Sequence, residues 1–169
     1  AIKAAKQYGA HMQAAISYTT GPVFTTDYFV DYAKRLENEG ADSICVKDMA
    51  GLLTPKAASE LVSALKKSVK VPIQVHTHYT SGLGSMVLLK SIEAGADVVD
   101  TALSPLALGT SHAPTESMVA ALEGTEYDTG LDLEALCDIS HYFNGLREKY
   151  LKNGLLDPKM LGVDAKTLI

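Results

Sequence analysis

Residues 39–47 read EGADSICVK and residues 94–102 read AGADVVDTA. In both, a Gly-Ala-Asp joint ends a stretch of helical spacing and opens an apolar run. Glycine just past a helix supplies the left-handed backbone that closes it, so the repeated joint predicts a repeating βα unit. Working outward, the strand candidates are Gln13–Tyr18, Ser43–Lys47, Pro72–His76 and Val98–Ala102. All are near-continuous apolar runs, as expected of strands covered on both faces. Helices are predicted over Thr26–Glu39, stopping at Gly40, and over Leu83–Ala94, stopping at Gly95. A third follows Thr54-Pro55, an N-cap with proline at the first helical position, and carries Ala58, Leu61, Val62 and Leu65 on one stripe.

Successive strands begin roughly 25 to 30 residues apart, a spacing that suits parallel strands joined by right-handed crossover helices. The even spacing fits a (β/α)8 barrel better than an open doubly wound sheet. A complete barrel of that kind takes about 200 to 250 residues, whereas this chain has 169. It shows four or five strands before turning helical. The segment 131–150 carries Leu133, Leu136, Ile139 or Ser140, Phe143 and Leu146 at helical spacing. The chain also begins mid-pattern, at AIKAAKQYGAH. The expectation is therefore α/β: the C-terminal half of a TIM (β/α)8 barrel followed by extra helices, belonging to a longer polypeptide. Residues 1–126 would form the barrel half and 127–169 a helical extension of the same domain.

Composition narrows the function classes. The net charge is −5, with 15 basic and 20 acidic residues well mixed, so no basic footprint for nucleic acid stands out. No tract is long and apolar enough to span a bilayer. Cys45 and Cys137 are far apart in unrelated patterns, which suggests neither a disulfide framework nor a thiolate zinc site. A reducing, cytoplasmic setting is expected.

Residues 71–80, VPIQVHTHYT, end an apolar run in two histidines. In a strand, residues i and i+2 share a face, so His76 and His78 would present two imidazoles to one side with Thr77 turned away. Two neutral imidazoles so placed can both reach one divalent ion. Alternatively they are two histidines hydrogen-bonded to neighbours at a strand end. Lys47 stands at the corresponding end of the preceding strand, in SICVKDMAGLLTP. An ammonium there needs a partner or a role. It is either paired with Asp48 or reaching solvent, or it has taken up carbon dioxide as a carbamate and become an oxygen ligand. In LALGTSHAPTES, Thr110, Ser111 and His112 lie in a small-residue loop that would face the same end of the barrel. A hydroxyl there could relay a proton or bind a substrate oxygen, or it could simply cap the helix that begins near Pro114 or Thr115. Gly82-x-Gly84 is too short for a dinucleotide fingerprint and reads as a close turn into a helix, whose first amides could receive an anionic group.

Taken together, VKDMAGLLTP, VHTH and LGTSHAPTES resemble the carboxyltransferase domain of biotin-dependent enzymes, the group of pyruvate carboxylase, the oxaloacetate decarboxylase alpha subunit and the transcarboxylase subunit of similar design. The resemblance runs over essentially the whole chain, and DVVDTALSP and PTESMVAALEGT extend it. It implies that Lys47 is carbamylated and, with His76 and His78, coordinates a divalent metal (zinc, cobalt or manganese). It implies that Thr110 passes a proton between substrate and biotin. A biotin carboxyl carrier domain, absent from this chain, would be the partner, pyruvate or oxaloacetate the substrate, and a homodimer or larger complex the assembly. The family's aspartate ligand, and the arginine and glutamine that help bind the keto acid, have no counterpart here. Two other readings compete. Metal-dependent Claisen or aldol barrels of the 3-hydroxy-3-methylglutaryl-CoA lyase type share H-x-H, but they lack the lysine and usually continue with Asp-Thr, where this chain has Tyr79-Thr80. The other is a non-catalytic structural or subunit-interaction module.

Overall fold

The computed structural model describes residues 2–168, with Leu161 and Thr167 described by their backbone alone. The chain forms two compact units. The first reaches to Thr77 and takes in Met86–Asp100; the second combines His78–Ser85 with the chain from Thr101 onward.

In the first unit, a short helix α1 (Ile2–Lys6) precedes β1 (Gln13–Ser17), α2 (Thr26–Asn38), β2 (Ser43–Asp48), α3 (Pro55–Ser68), β3 (Ile73–Thr77), most of α4 (Gly84–Glu93) and β4 (Val98–Val99). The four strands make one parallel sheet in the order β1-β2-β3-β4, as the βα repeat predicts. Helices α2 and α3 pack on each other and against the strands, burying Phe29, Val30 and Ala33 from one and Ala58, Leu61, Val62 and Leu65 from the other. Thr25 and Thr54 start them, their side chains accepting hydrogen bonds from the amides of Tyr28 and Ala57, which satisfies donors that the helix leaves open.

One expectation is corrected. The strands are not covered on both faces: β1 alternates exposed with buried and β3 buried with half-buried. Ala14, Ile16, Ile44, Val46, Ile73 and Val75 form the buried face. The opposite face, carrying Gln13, Ala15, Ser17, Lys47, Gln74 and His76, stays partly open. Only β2 is buried along most of both faces, and its exception is Lys47.

The Gly-Ala-Asp joints have one construction. Gly40 and Gly95 adopt φ of +96° and +100°, and the amides of Gly40 and Ala41, like those of Gly95 and Ala96, return to carbonyls of the preceding helix. This closure uses the left-handed conformation that glycine adopts without steric cost. The aspartate then ties its strand to the neighbour. Asp42 donates its amide to the Met12 carbonyl and accepts the Met12 amide on its carboxylate; Asp97 does the same with Ile73. A lysine completes each carboxylate, Lys6 at Asp42 and Lys66 at Asp97.

The expected strand Val98–Ala102 is divided. Val98–Val99 joins the main sheet, while β5 (Thr101–Ala102), in the second unit, pairs in parallel with β6 (Ala113–Pro114). The break falls at Asp100, whose amide still donates to the Val75 carbonyl. The second unit continues through α5 (Thr115–Leu122) and α6 (Leu133–Lys152). Helix α6 starts at an N-cap, Asp132. Of the two candidates for the middle of its apolar stripe, Ser140 is buried and Ile139 is 46% exposed. The Ser140 hydroxyl lies 3.3 Å from that of Ser104.

Candidate metal centre

Lys47 and His76 are direct partners in the parallel register of β2 and β3, so their side chains leave the same face of the sheet, at its C-terminal edge. Asp48 and Thr77, the next pair, point the other way. Asp48 is fully buried and its carboxylate accepts bonds from the amides of Leu52 and Leu53, each at 2.9 Å, and from the Thr77 hydroxyl at 2.8 Å. Asp48 is thus engaged on the helix-covered face, and it organises the turn that follows β2. The open pairing of Lys47 with Asp48 is resolved against that ion pair.

His76 is set by a residue that sequence reasoning missed. Its Nδ1 lies 2.6 Å from Oδ2 of Asp100, and the other carboxylate oxygen accepts from Nε2 of Gln74 at 2.7 Å. A carboxylate only accepts, so Nδ1 carries the proton; in the neutral ring Nε2 then holds the lone pair. Asp100 was visible only as one letter in DVVDTA, and its use depends on strand register. Cys45, on the same face, feels its surroundings. Burial, and secondarily the charge of Asp100, push its thiol up to about 11, with Lys47 opposing. Cys45 is therefore a neutral thiol near pH 7.

In the second unit, His78 follows β3 directly. Its Nδ1 donates to the Thr110 carbonyl oxygen at 2.6 Å, which again leaves the lone pair of the neutral ring on Nε2. The Tyr79 amide donates to the Ser111 carbonyl, so the stretch after His78 and the 108–112 loop are bound together. That loop is sharply folded: Leu108 has φ +69° and Gly109 φ +53°, and the amides of Leu108 and Ser111 close it onto the carbonyls of His112 and Leu108. Leucine in that region costs about 1–2 kcal/mol, a strain the two closing bonds hold in place. The His112 ring lies against His78, with centroids 4.6 Å apart and a nitrogen of each within 4.8 Å. Thr110 is exposed and its amide donates to the Met160 carbonyl. Glu116 is a further residue the sequence did not single out: buried in α5, it accepts the amide and hydroxyl of Ser104.

His76 in the first unit and His78 in the second each have Nδ1 held by an oxygen acceptor, the kind of support that ligating histidines commonly have. Among the described residues, no helix is long and apolar enough to cross a membrane.

Known proteins resemble this chain in sequence and structure. A pyruvate carboxylase subunit of Methanocaldococcus jannaschii is 57% identical over the full chain, which spans 30% of that protein. The methylmalonyl-CoA carboxyltransferase 5S subunit of Propionibacterium freudenreichii subsp. shermanii is 46% identical over 90% of the chain, again matching 30% of the relative. Among solved structures, the carboxyl transferase domain of Rhizobium etli pyruvate carboxylase superposes with a TM-score of 0.86 at 40% identity, covering 88% of this chain and 26% of that one. The parallel α/β architecture is thus shared with a segment of a carboxyl transferase domain, as the sequence motifs implied. The chain spans about a third or less of the length of these relatives. The HMGL-like family model matches residues 1–142, and the chain belongs to that family.

Proposed function

We propose that this chain forms part of a biotin-dependent carboxyltransferase, which moves a carboxyl group between pyruvate or oxaloacetate and biotin borne on a carrier domain. The observation that carries the proposal is the register pairing of Lys47 with His76, whose Nδ1 is held by Asp100; His78, the next histidine in the motif, has its own Nδ1 held by the Thr110 carbonyl. The names of the similar proteins, one a pyruvate carboxylase component and the other a carboxyltransferase component, support the same activity.

Lys47, His76 and His78 would hold a divalent ion, with zinc, cobalt and manganese as the candidates. When bound, that ion supplies Lewis-acid stabilisation of negative charge developing on the keto-acid oxygen. Lys47 serves as a ligand in its carbamate form: the neutral amine nitrogen adds to the carbon of carbon dioxide, an N–C bond forms, and one proton leaves to solvent. The product is an anionic oxygen ligand where an ammonium would repel the ion. Asp100 and the Thr110 carbonyl fix which nitrogen of each histidine is presented. The Thr110 hydroxyl passes a proton between the biotin nitrogen and the three-carbon acid, accepting from one while donating to the other. Its own pKa is far too high for it to act as a free base, so it works as a relay. The setting is cytoplasmic and the working assembly a homodimer or larger complex.

The test is carboxyl transfer by the full-length protein. Lys47→Ala and His76→Ala are each expected to abolish it, and wild-type turnover by either variant would refute the assignment. Dependence on biotin separates this activity from a Claisen-type lyase, which also uses H-x-H.

A further inference from the structure

We infer that Asp100 is a positioning residue for the metal centre, acting through His76; the inference rests on the metal reading given above. Asp100 stands where the expected strand breaks, immediately after β4, with its amide on the Val75 carbonyl. Both carboxylate oxygens are engaged on the open face of β3, one by Nδ1 of His76 at 2.6 Å and the other by Nε2 of Gln74 at 2.7 Å. Gln74 is itself oriented: its Oε1 accepts from Nε2 of Gln13 at 2.8 Å, and that amide also reaches the Ser43 hydroxyl. The Gln74 carbonyl oxygen and both Asp100 oxygens each face a donor. Gln13 and Gln74 therefore hold Asp100, and Asp100 holds the imidazole.

Two effects on His76 follow. The ring is fixed in the tautomer that presents Nε2, and a carboxylate on Nδ1–H makes Nε2 a stronger electron donor than a carbonyl partner would. Residues that act this way behind a ligating histidine typically change metal affinity 10–100-fold when replaced. Asp100 is assigned no contact with substrate. Its effect is on the ligand.

The experiment measures zinc affinity of the full-length protein by competition with a chromophoric chelator, and the visible spectrum of its cobalt(II) form. The proteins compared are wild type, Asp100→Asn, Asp100→Ala, His76→Ala and the double variant Asp100→Ala/His76→Ala. Asp100→Ala is expected to weaken zinc binding about 10–100-fold and to shift the cobalt bands. Asp100→Asn keeps the shape of the side chain but accepts more weakly, and is expected to show a smaller loss. In the His76→Ala background the change at Asp100 is expected to add nothing. Wild-type affinity with an unchanged cobalt spectrum in both single Asp100 variants overturns the inference, as does an equal loss with and without His76, which would mark a purely structural role. Absence of zinc uptake by the wild type overturns the metal reading itself, a distinct failure.

Discussion

The Thr77 hydroxyl donates to the buried Asp48 carboxylate across 2.8 Å, on the face of the sheet opposite Lys47 and His76. Because these residues are the next register pair after Lys47 and His76, the bond locks β2 to β3 at the place where the two candidate ligands must stay side by side.

Removing that hydroxyl leaves a fully buried carboxylate with one acceptor site unfilled. Hydrogen bonds to charged groups contribute about 1.5–3 kcal/mol, and valine keeps the β-branched shape of threonine. Thr77→Val is therefore expected to destabilise the protein by about 1.5–3 kcal/mol in denaturant titrations, with Thr77→Ser much closer to wild type. If Thr77→Val is neutral, the bond does not secure this edge.

Much of the fold is legible in the sequence, and the exceptions have two physical causes. The Gly40 and Gly95 stops, the Thr54-Pro55 start and the parallel strands are local signals, written in neighbouring residues. His76 and His78 are legible because they share one motif. Asp100 and Glu116 are not, because their partners lie 24 and 12 residues away and become partners only through register and helix packing. Apolar runs such as QAAISY mislead about the coverage of both sheet faces, since small residues look buried whether or not anything covers them. Ala15 in β1 is exposed.

Gly84 opens α4 beneath the Tyr79 ring, and a Cβ at that position would lie 2.5 Å from Cδ2 of Tyr79. In a helix, alanine is ordinarily favoured over glycine by roughly 0.5–1 kcal/mol. Here overpacking, typically costing about 1–3 kcal/mol, is expected to win, because the contact also takes in Cγ at 3.3 Å, close to the Tyr79 backbone. Gly84→Ala should lower the melting temperature, and adding Tyr79→Leu should restore part of it. A stabilised Gly84→Ala would mean that the ring moves aside freely.

Acid should loosen the joint at Asp97. Partial burial acts to raise its pKa, but the Lys66 ammonium and the Ile73 amide together outweigh it, so the carboxyl is held below its ordinary value. A depressed folded-state pKa means stability that is fully present above the unfolded value of about 3.9 and lost as pH falls through the folded one. Asp97→Asn is accordingly expected to cost stability at neutral pH and to lessen the acid sensitivity seen below about pH 4. Both are read from denaturant midpoints across pH. Identical pH profiles for the two proteins would show that Asp97 is not coupled to folding.

Thr110 has two roles on different atoms, and substitution separates them. Its carbonyl receives Nδ1–H of His78, a contact that belongs to the backbone and survives any change of side chain. Its hydroxyl is the proposed proton relay, an effect typically worth about 10²–10⁴ in rate. Thr110→Ala is therefore expected to lower carboxyl transfer by about that factor while metal content stays at the wild-type level, and Thr110→Ser should recover most of the rate. The measurement pairs steady-state turnover with metal analysis of the same preparations. Loss of metal in Thr110→Ala would assign the residue to holding the 108–112 loop, and unchanged turnover would remove it from proton transfer.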